Sequence, residues 1–541
     1  MGVQYAFGVS GGAIAPIWHA LQHSSIKVLH FRHEAGAAFA ATEAYFASGR
    51  PVVVFTTTGP GITNALTGLF AARWEGAKVI FLSASTSTSQ RGRWAFQETS
   101  AYTMPAAGLF TSEPLFHYAT TLGCSDEFPE VYRRLALGLA RPDAFVAHLS
   151  IPTNIQTSSV GTSLPRAPLS VAPATASEPT ISKCARFLSE GPFAIWVGFG
   201  ARSAAEEIRQ LAESTGAAVM CSPRGKGIFP EDHPQFVGVT GFAGHESVLK
   251  YMQEYCPLRT LVLGTCLGEF TSFWNPVMIP KRGFVHIDID PEVPGTSYPS
   301  VETFAIHSDV RIFVKALLKH FPKRQSQSKT VLLPRPQRHV INPNASGLVR
   351  PEVLMNVIQR VIVEGSDAVV MTEAGNSFAW GNHMLRFNKP GRYRVSTGFG
   401  AMGHFVTGVV GAAVARNGKA VAIVGDGAML MNSEISTAVQ HQIKAVWIVL
   451  NDSHYNMCGQ GSTMQGYKDM NVDIPQTDFV KITHGMGADA IRVERESDIQ
   501  AALEKALVCS SPFVIDVVID PTRSAPIKNR IDKLTSQSAT V

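Results

Sequence analysis

The sequence predicts an α/β protein built of three open, doubly wound parallel sheets, and three observations carry that reading. Short apolar runs rich in Val and Ile recur along the chain and alternate with helix-length segments; strands apolar at every position are buried on both faces, as in parallel sheets covered by helices. Gly-rich turns follow several of these runs, at the carboxyl ends where open α/β sheets hold ligands. Two stretches without clear periodicity, 156–183 (Ser, Thr, Pro, Ala) and 322–347 (Pro, Gln, Ser and basic residues), divide the remainder into blocks of ordinary domain size.

The elements follow in order. In the first block (1–155), residues 51–57 (PVVVFTT) form a strand ending in Gly59-Pro60-Gly61, followed by a helical pattern and the strand 78–82 (KVIFL). The middle block (184–321) holds strands at 193–197, 260–263 and 284–289. The third (348–525) holds strands at 368–371, 420–424 and 445–450, and a tail, 526–541, closes the chain.

Composition narrows the function. Of 541 residues, 45% are hydrophobic and 16% charged, against ~25% charged in average soluble domains, which excludes a disordered chain. The net charge of +5 comes without any Lys/Arg-rich block, so no nucleic-acid partner is expected. Seven cysteines form no CxxC, which indicates neither a disulfide framework nor a zinc site, and reduced thiols point to the cytoplasm. The run 3–9 has no basic segment before it, and no uncharged apolar stretch reaches ~18 residues, so neither a signal peptide nor a membrane span is expected.

Chemistry concentrates in the third block. Residues 421–424 run into Gly425-Asp426-Gly427, and 446–450 into Asn451-Asp452-Ser453-His454, with a helix-length crossover at 428–443. A right-handed βαβ unit sets neighbouring strand ends side by side. Asp426 and Asp452 would then share one hard cation; Mg²⁺ takes few protein oxygens and completes its shell with water and phosphate. Gly425 and Gly427 would let backbone N–H groups approach a phosphate, although Asp-Gly alone also marks an ordinary turn. In the first block, Glu34 precedes a small-residue helix (HEAGAAFAA), where by itself it reads as an acid favoured by the helix dipole. His30 and His33 lie in the order HxxHE, not the HExxH of zinc helices.

Together these motifs carry a resemblance. FGVSGGAIAPIWHAL, FRHEAGAAFAATEAYFASGRPVVVFTTTGPG, WAFQE, PRGKGIFPEDHP, HIDIDPEVPG, STGFGAMGHF and GDGAMLMNSE…NDSHYNMC occur in order from Val3 to Pro521. In this the chain resembles thiamine diphosphate enzymes of the acetolactate synthase type. The resemblance implies a pyrimidine-binding first domain, a nucleotide-binding-like middle domain and a diphosphate-binding third domain. The cofactor would lie between the first domain of one subunit and the third of another, hence a homodimer or homotetramer. It implies that Glu34 bonds the pyrimidine N1′, favouring the imino tautomer that deprotonates the thiazolium. Asp426, Asp452 and a backbone carbonyl at His454 would hold Mg²⁺. Gly375, Asn376, Ser377, Ala401, Met402, Gly425, Gly427, Ala428 and Tyr455 complete the implied cofactor set, with Met402 as the apolar wedge. Gln97 matches a polar residue of carboligating members, so Glu34 and Gln97 are the expected catalytic pair.

Departures from the family pattern bear on the substrate. Ser10-Gly11-Gly12 stands where Pro-Gly-Gly is usual, Asn376-Ser377 replaces Gln-His, and Phe116-His117 replaces Thr-Lys. Ser10, Gly11, Phe96 and His117 are the expected substrate contacts. The flavin-associated Arg-Phe-Asp-Asp run is replaced by residues 264–269, so FAD is not expected. Gly198-Phe199-Gly200 is an incomplete dinucleotide fingerprint and a weak sign of dehydrogenase chemistry. The helix that normally precedes the first strand is absent from the sequence. No His-His pair and no histidine before the Gly-rich turn appear, which favours carboligation of a 2-oxo acid with a second 2-oxo acid or carbonyl over decarboxylation. The alternatives are a 2-oxo acid or acyl-CoA decarboxylase or lyase of the same fold, with His117 or His454 as acid, and a catalytically silent subunit.

Overall fold

A computed structural model of the chain describes residues 1–541 except 113, 162–163, 165–170, 322–331, 338–340, 345, 432 and 539–541. The described strands form three six-stranded sheets whose pairings are parallel throughout. The first contains β1 (Tyr5–Gly8), β2 (Lys27–His30), β3 (Val52–Thr56), β4 (Lys78–Ser85), β5 (Tyr118–Thr121) and β6 (Phe145–Pro152), in the order β2-β1-β3-β4-β6-β5. The second contains β7 (Phe193–Val197), β8 (Ala218–Cys221), β9 (Phe236–Val239), β10 (Arg259–Leu263), β11 (Phe284–Asp288) and β12 (Thr303–His307), in the order β12-β11-β10-β7-β8-β9. The third contains β13 (Val369–Thr372), β14 (Tyr393–Arg394), β15 (Ala420–Gly425), β16 (Ala445–Asn451), β17 (Asp489–Val493) and β18 (Phe513–Val518), in the order β14-β13-β15-β16-β18-β17. The first and third sheets therefore share one strand order, and the second has the doubly wound order of dinucleotide-binding sheets. β3, β7 and β16 are buried at every residue, as their apolar runs require, with Thr56 and Asn451 as the polar last residues of β3 and β16.

The first and third sheets are joined by a shared core. Helix Glu34–Ser48 lies against helix His404–Arg416, and both present small residues at the crossing. A Cβ added at Gly411 would stand 1.9 Å from the carbonyl oxygen of Ala40, so the backbones touch only because Gly411 is glycine. Gly68, in helix Pro60–Glu75, packs on Ala38 in the same way, its Cβ position 2.5 Å from the Ala38 methyl. This packing fixes where Glu34 stands relative to the third sheet.

Three segments differ from expectation. The crossover at 428–443 is not one helix: Asp426–Met429 and Glu434–Gln440 are separate, so an acid opens the second. Helix Glu178–Ser189 begins inside the stretch 156–183 and buries Ile181, Cys184 and Leu188. Of the two expected linkers, 162–163, 165–170, 322–331, 338–340 and 345 lie outside the described residues. The tail at 526–541 forms helix Lys528–Ser538. Ile527 and Ile531, one helical turn apart, are buried in the third domain's core, while Asn529 Nδ2 donates to Gly241 O at 2.7 Å and Arg530 pairs with Glu269. The segment thus fastens the third domain to the middle one.

Candidate active site

Two clusters form at the carboxyl edges of the first and third sheets. In the third, β15 and β16 run in register, with Gly425 opposite Leu450, so the turns that follow deliver Asp426 and Asp452 together. Asp426 is 3% exposed. One of its oxygens accepts from Gly427 N and the other from Ser453 N, both at 2.7 Å. Burial, then the charge of Asp452, pushes the Asp426 carboxyl up to about 6; burial raises Asp452 as well. Asp452 accepts from Asn456 Nδ2 at 2.7 Å and His454 N at 3.3 Å. The His454 ring turns away, Nδ1 against Asp452 O and Nε2 3.1 Å from Asp473 Oδ1.

The neighbouring strand ends add a cradle. Gly375 (φ 115°) follows β13, Gly400 (φ 65°) follows β14 and Gly425 ends β15. A Cβ at any of the three would meet nothing within 4 Å, whereas one at Gly427 would meet the Tyr455 ring at 2.5 Å. Ser377 Oγ donates to Glu373 O at 2.7 Å, and Asn376 Nδ2 lies 3.5 Å from Gln460 Oε1. Asn376 Oδ1 is buried without a hydrogen-bond partner among the described residues. Met402 and Tyr455 stand partly exposed beside this edge, and Ala401 and Ala428 complete its turns. These residues fit a magnesium diphosphate on three counts. Asp426 is buried and Asp452 half-buried with no ion-pair partner for either among the described residues, glycines face open space, and the Asn376 Nδ2 amide, held only by its 3.5 Å contact, is able to donate to a phosphate oxygen. No third acidic, histidine or cysteine side chain joins the two carboxylates among the described residues, as suits an ion that takes few protein oxygens.

In the first domain, His33 caps helix Glu34–Ser48 by accepting from Ala35 N at 3.1 Å. Glu34 is buried and accepts from Asn64 Nδ2 at 3.1 Å. Sequence reasoning missed Glu434, whose carboxylate accepts from Arg32 N and His33 N at 3.1 Å and so holds the turn preceding Glu34. Burial raises its carboxyl. The available signal was a lone acid inside the crossover that follows the Gly-Asp-Gly turn.

Ser10 and Gly11 follow β1 next to Thr57, whose Oγ1 would stand 2.7 Å from a Cβ at Gly11. Gln97 (φ 52°) bonds to Thr58, Oγ1 to Oε1 at 3.3 Å, and crosses Gly59 (φ 56°), whose N–H donates to Thr99 Oγ1 at 2.7 Å. Phe96 is 91% exposed. The structure thus brings Ser10, Gly11, Phe96 and Gln97 to one edge.

His117 does not join them. It precedes β5 and so sits at the amino end of a parallel sheet, opposite the carboxyl edge that carries the other residues. There it exchanges hydrogen bonds with Val146, both at 2.9 Å. Burial, with Arg73 and Arg141 nearby, holds its imidazole down at about 4.

Comparison with known proteins agrees with this geometry. Residues 1–104 match the thiamine pyrophosphate enzyme N-terminal TPP binding domain, 183–317 its central domain, and 373–517 its C-terminal TPP binding domain. A probable acetolactate synthase large subunit of Methanocaldococcus jannaschii is 28% identical over 97% of this chain and 91% of its own length. A putative acetolactate synthase large subunit of Mycobacterium tuberculosis is 28% identical over 93% and 92%. The acetolactate synthase isozyme 1 large subunit of Escherichia coli is 26% identical over 96% and 92%. With all three domains matched in order on three parallel sheets, the chain belongs to the thiamine pyrophosphate enzyme family and is acetolactate synthase-like.

Proposed function

We propose that this protein is a thiamine diphosphate- and Mg²⁺-dependent carboligase. It releases CO₂ from one 2-oxo acid and joins the remaining acyl group to a second 2-oxo acid or carbonyl compound. The observation that carries this is the in-register pairing of β15 and β16, which sets Asp426 and Asp452 side by side below an open glycine cradle. Thiamine diphosphate, when bound, would supply the electron sink that decarboxylation and acyl transfer need. The chain does the rest. Asp426 and Asp452, with the His454 carbonyl, would hold the metal, and the glycine turns and the Asn376 Nδ2 amide would receive the diphosphate. Glu34, fixed by Asn64 and by its place at the helix start, would share a proton with the pyrimidine.

Carboligation is favoured over plain decarboxylation by where the histidines lie. Protonating the acyl carbanion calls for a positioned acid, and of the two histidines expected in that role His117 is at the far edge of its sheet and the His454 ring is engaged by Asp473. A second copy of the chain would complete the site, and exposed apolar side chains at both clusters (Trp94, Phe96, Met402, Tyr455) suit a face that it covers. The middle domain would work without flavin, since residues 264–269 stand in place of the flavin-associated run. No helix among the described residues is long and apolar enough to cross a membrane, and all seven cysteines are free thiols, which supports a cytoplasmic setting.

The test is product analysis by mass spectrometry with thiamine diphosphate, Mg²⁺ and a panel of 2-oxo acids, singly and in pairs. A 2-hydroxy ketone is expected. Free aldehyde as the sole product would overturn carboligation.

A further inference from the structure

A cavity of about 480 Å³ opens beside the first-domain cluster. Thr58, Thr86, Ser87 and Thr153 line it with hydroxyl groups, Phe96 gives it an apolar wall, and Arg93 is the cation among its lining residues. Thr58 ties the cavity to Gln97 through their hydrogen bond. The loop that carries Arg93 is held in a costly shape: Trp94 (φ 58°) and Gln97 (φ 52°) both occupy the left-handed region, at ~1–3 kcal/mol each. Strain of this kind persists where surrounding contacts impose it and clusters at ligand sites.

The Arg93 guanidinium has no carboxylate partner among the described residues; its one hydrogen bond is from Nη1 to Ser89 O at 3.4 Å. The acid nearest in sequence on the same loop, Glu98, is committed elsewhere. Its Oε1 accepts from Gly92 N at 2.6 Å and Ser100 Oγ at 2.7 Å. These bonds hold its carboxyl below the ordinary range and shape the loop without neutralising Arg93. An unpaired guanidinium at a hydroxyl-lined cavity with one apolar wall suits a small organic anion, because its planar fork matches a carboxylate.

We propose that Arg93 binds the carboxylate of the accepting 2-oxo acid and so selects a 2-oxo acid over an aldehyde as second substrate. This rests on the carboligase reading above. Two 2-oxo acids and one proton give one CO₂ and one 2-hydroxy acid that carries the transferred acyl group at C2. The donor's C1–C2 bond breaks, and its electron pair forms the new bond to the acceptor's C2, whose oxygen takes the proton. The donor's carboxylate leaves as CO₂, so an arginine pairing it would stabilise the ground state against reaction. The acceptor's carboxylate survives into product, and a guanidinium there holds substrate and transition state alike.

The experiment compares the holoenzyme with Arg93→Ala and Arg93→Lys on two readouts. One is competition between a 2-oxo acid and its matching aldehyde as acceptor. The other is the part of the tryptophan fluorescence quench that is lost in a Trp94→Phe control, on adding oxamate, an isostere of pyruvate that does not lose CO₂. Arg93→Ala should lower the ratio of 2-oxo acid to aldehyde kcat/KM about tenfold or more, the loss of one charge-assisted pair, and abolish the oxamate quench. Arg93→Lys should restore part of both. An unchanged ratio with an unchanged quench, or an equal loss for both acceptors, overturns the assignment. If the unmodified holoenzyme joins no pair of substrates, the carboligase reading fails, while the oxamate readout still decides whether Arg93 binds a carboxylate.

Discussion

Glu34 shows what one residue owes to its surroundings. As a first-turn acid it is unremarkable by sequence, since the helix dipole favours a carboxylate there in any protein. The fold makes it specific. Its backbone turn is held by Glu434 from the third domain, and its carboxylate is buried against Asn64. Glu34→Gln keeps the shape and the Asn64 contact but removes the titratable proton. It should leave thiamine diphosphate binding within about twofold while slowing C2–H/D exchange of the bound cofactor by ~10²–10⁴, the usual worth of a positioned acid–base group. Exchange at the native rate would remove Glu34 from this role. Asp426 and Asp452 were readable because each ends an obvious strand. Glu434 and Arg93 were not, because a lone acid or arginine in a sequence carries no sign of what it faces, whether across a domain boundary or across a cavity of its own domain.

At the scale of elements, glycines separate packing from ligand binding. Gly411 and Gly425 look equally plain in sequence, but one lies in a helix against another helix and the other at a strand end facing open space. Gly411→Ala drives a methyl into the Ala40 carbonyl and should destabilise the protein by ~3 kcal/mol or more, the cost of overpacking against backbone that cannot yield. Gly425 has φ −76°, which any residue adopts, so Gly425→Ala should leave urea unfolding within ~0.5 kcal/mol yet weaken thiamine diphosphate binding. Calorimetric titration beside unfolding curves reads both. Equal losses of stability in the two variants would mean that Gly425 also serves packing. Strands were legible because burial on both faces writes an unbroken apolar run. The broken crossover and the closing helix were not: the first turns on an acid that pairs across domains, the second on a few isoleucines whose partners lie elsewhere.

Across the whole molecule, three domains meet at a buried charge network. Arg394, from the third, grips Glu43, from the first, through two hydrogen bonds of 2.8 Å, and His404 Nε2 lies 3.0 Å from the same carboxylate. Arg224, from the middle domain, reaches Glu75 of the first at 2.9 Å. Burial alone would raise the Glu43 carboxyl, but Arg394 and His404 hold it at about 2, below its ordinary 4.5. A folded pKa below the unfolded one adds stability that is complete above the unfolded value and fades as pH falls through the folded one. The Glu43 contribution should therefore be intact above pH 4.5 and decline between pH 4.5 and about 2. Glu43→Gln leaves Arg394 only the longer contact to Glu75, at 3.6 Å, and should cost ~3 kcal/mol at neutral pH, with a flatter acid limb of stability against pH. A native-like acid limb in that variant would place the titration elsewhere. The sequence by itself determined the three sheets, the family and the strand-end pair Asp426 and Asp452, because apolar periodicity and turn chemistry are local and survive in linear order. Only the tertiary structure decided that His117 stands at the wrong end of its sheet, that Glu434 anchors the turn before Glu34, that Arg93 faces a cavity uncompensated and that Glu43 and Arg394 clamp two domains. Each of those depends on which distant side chain arrives opposite, and that is fixed by packing rather than by neighbours in the chain.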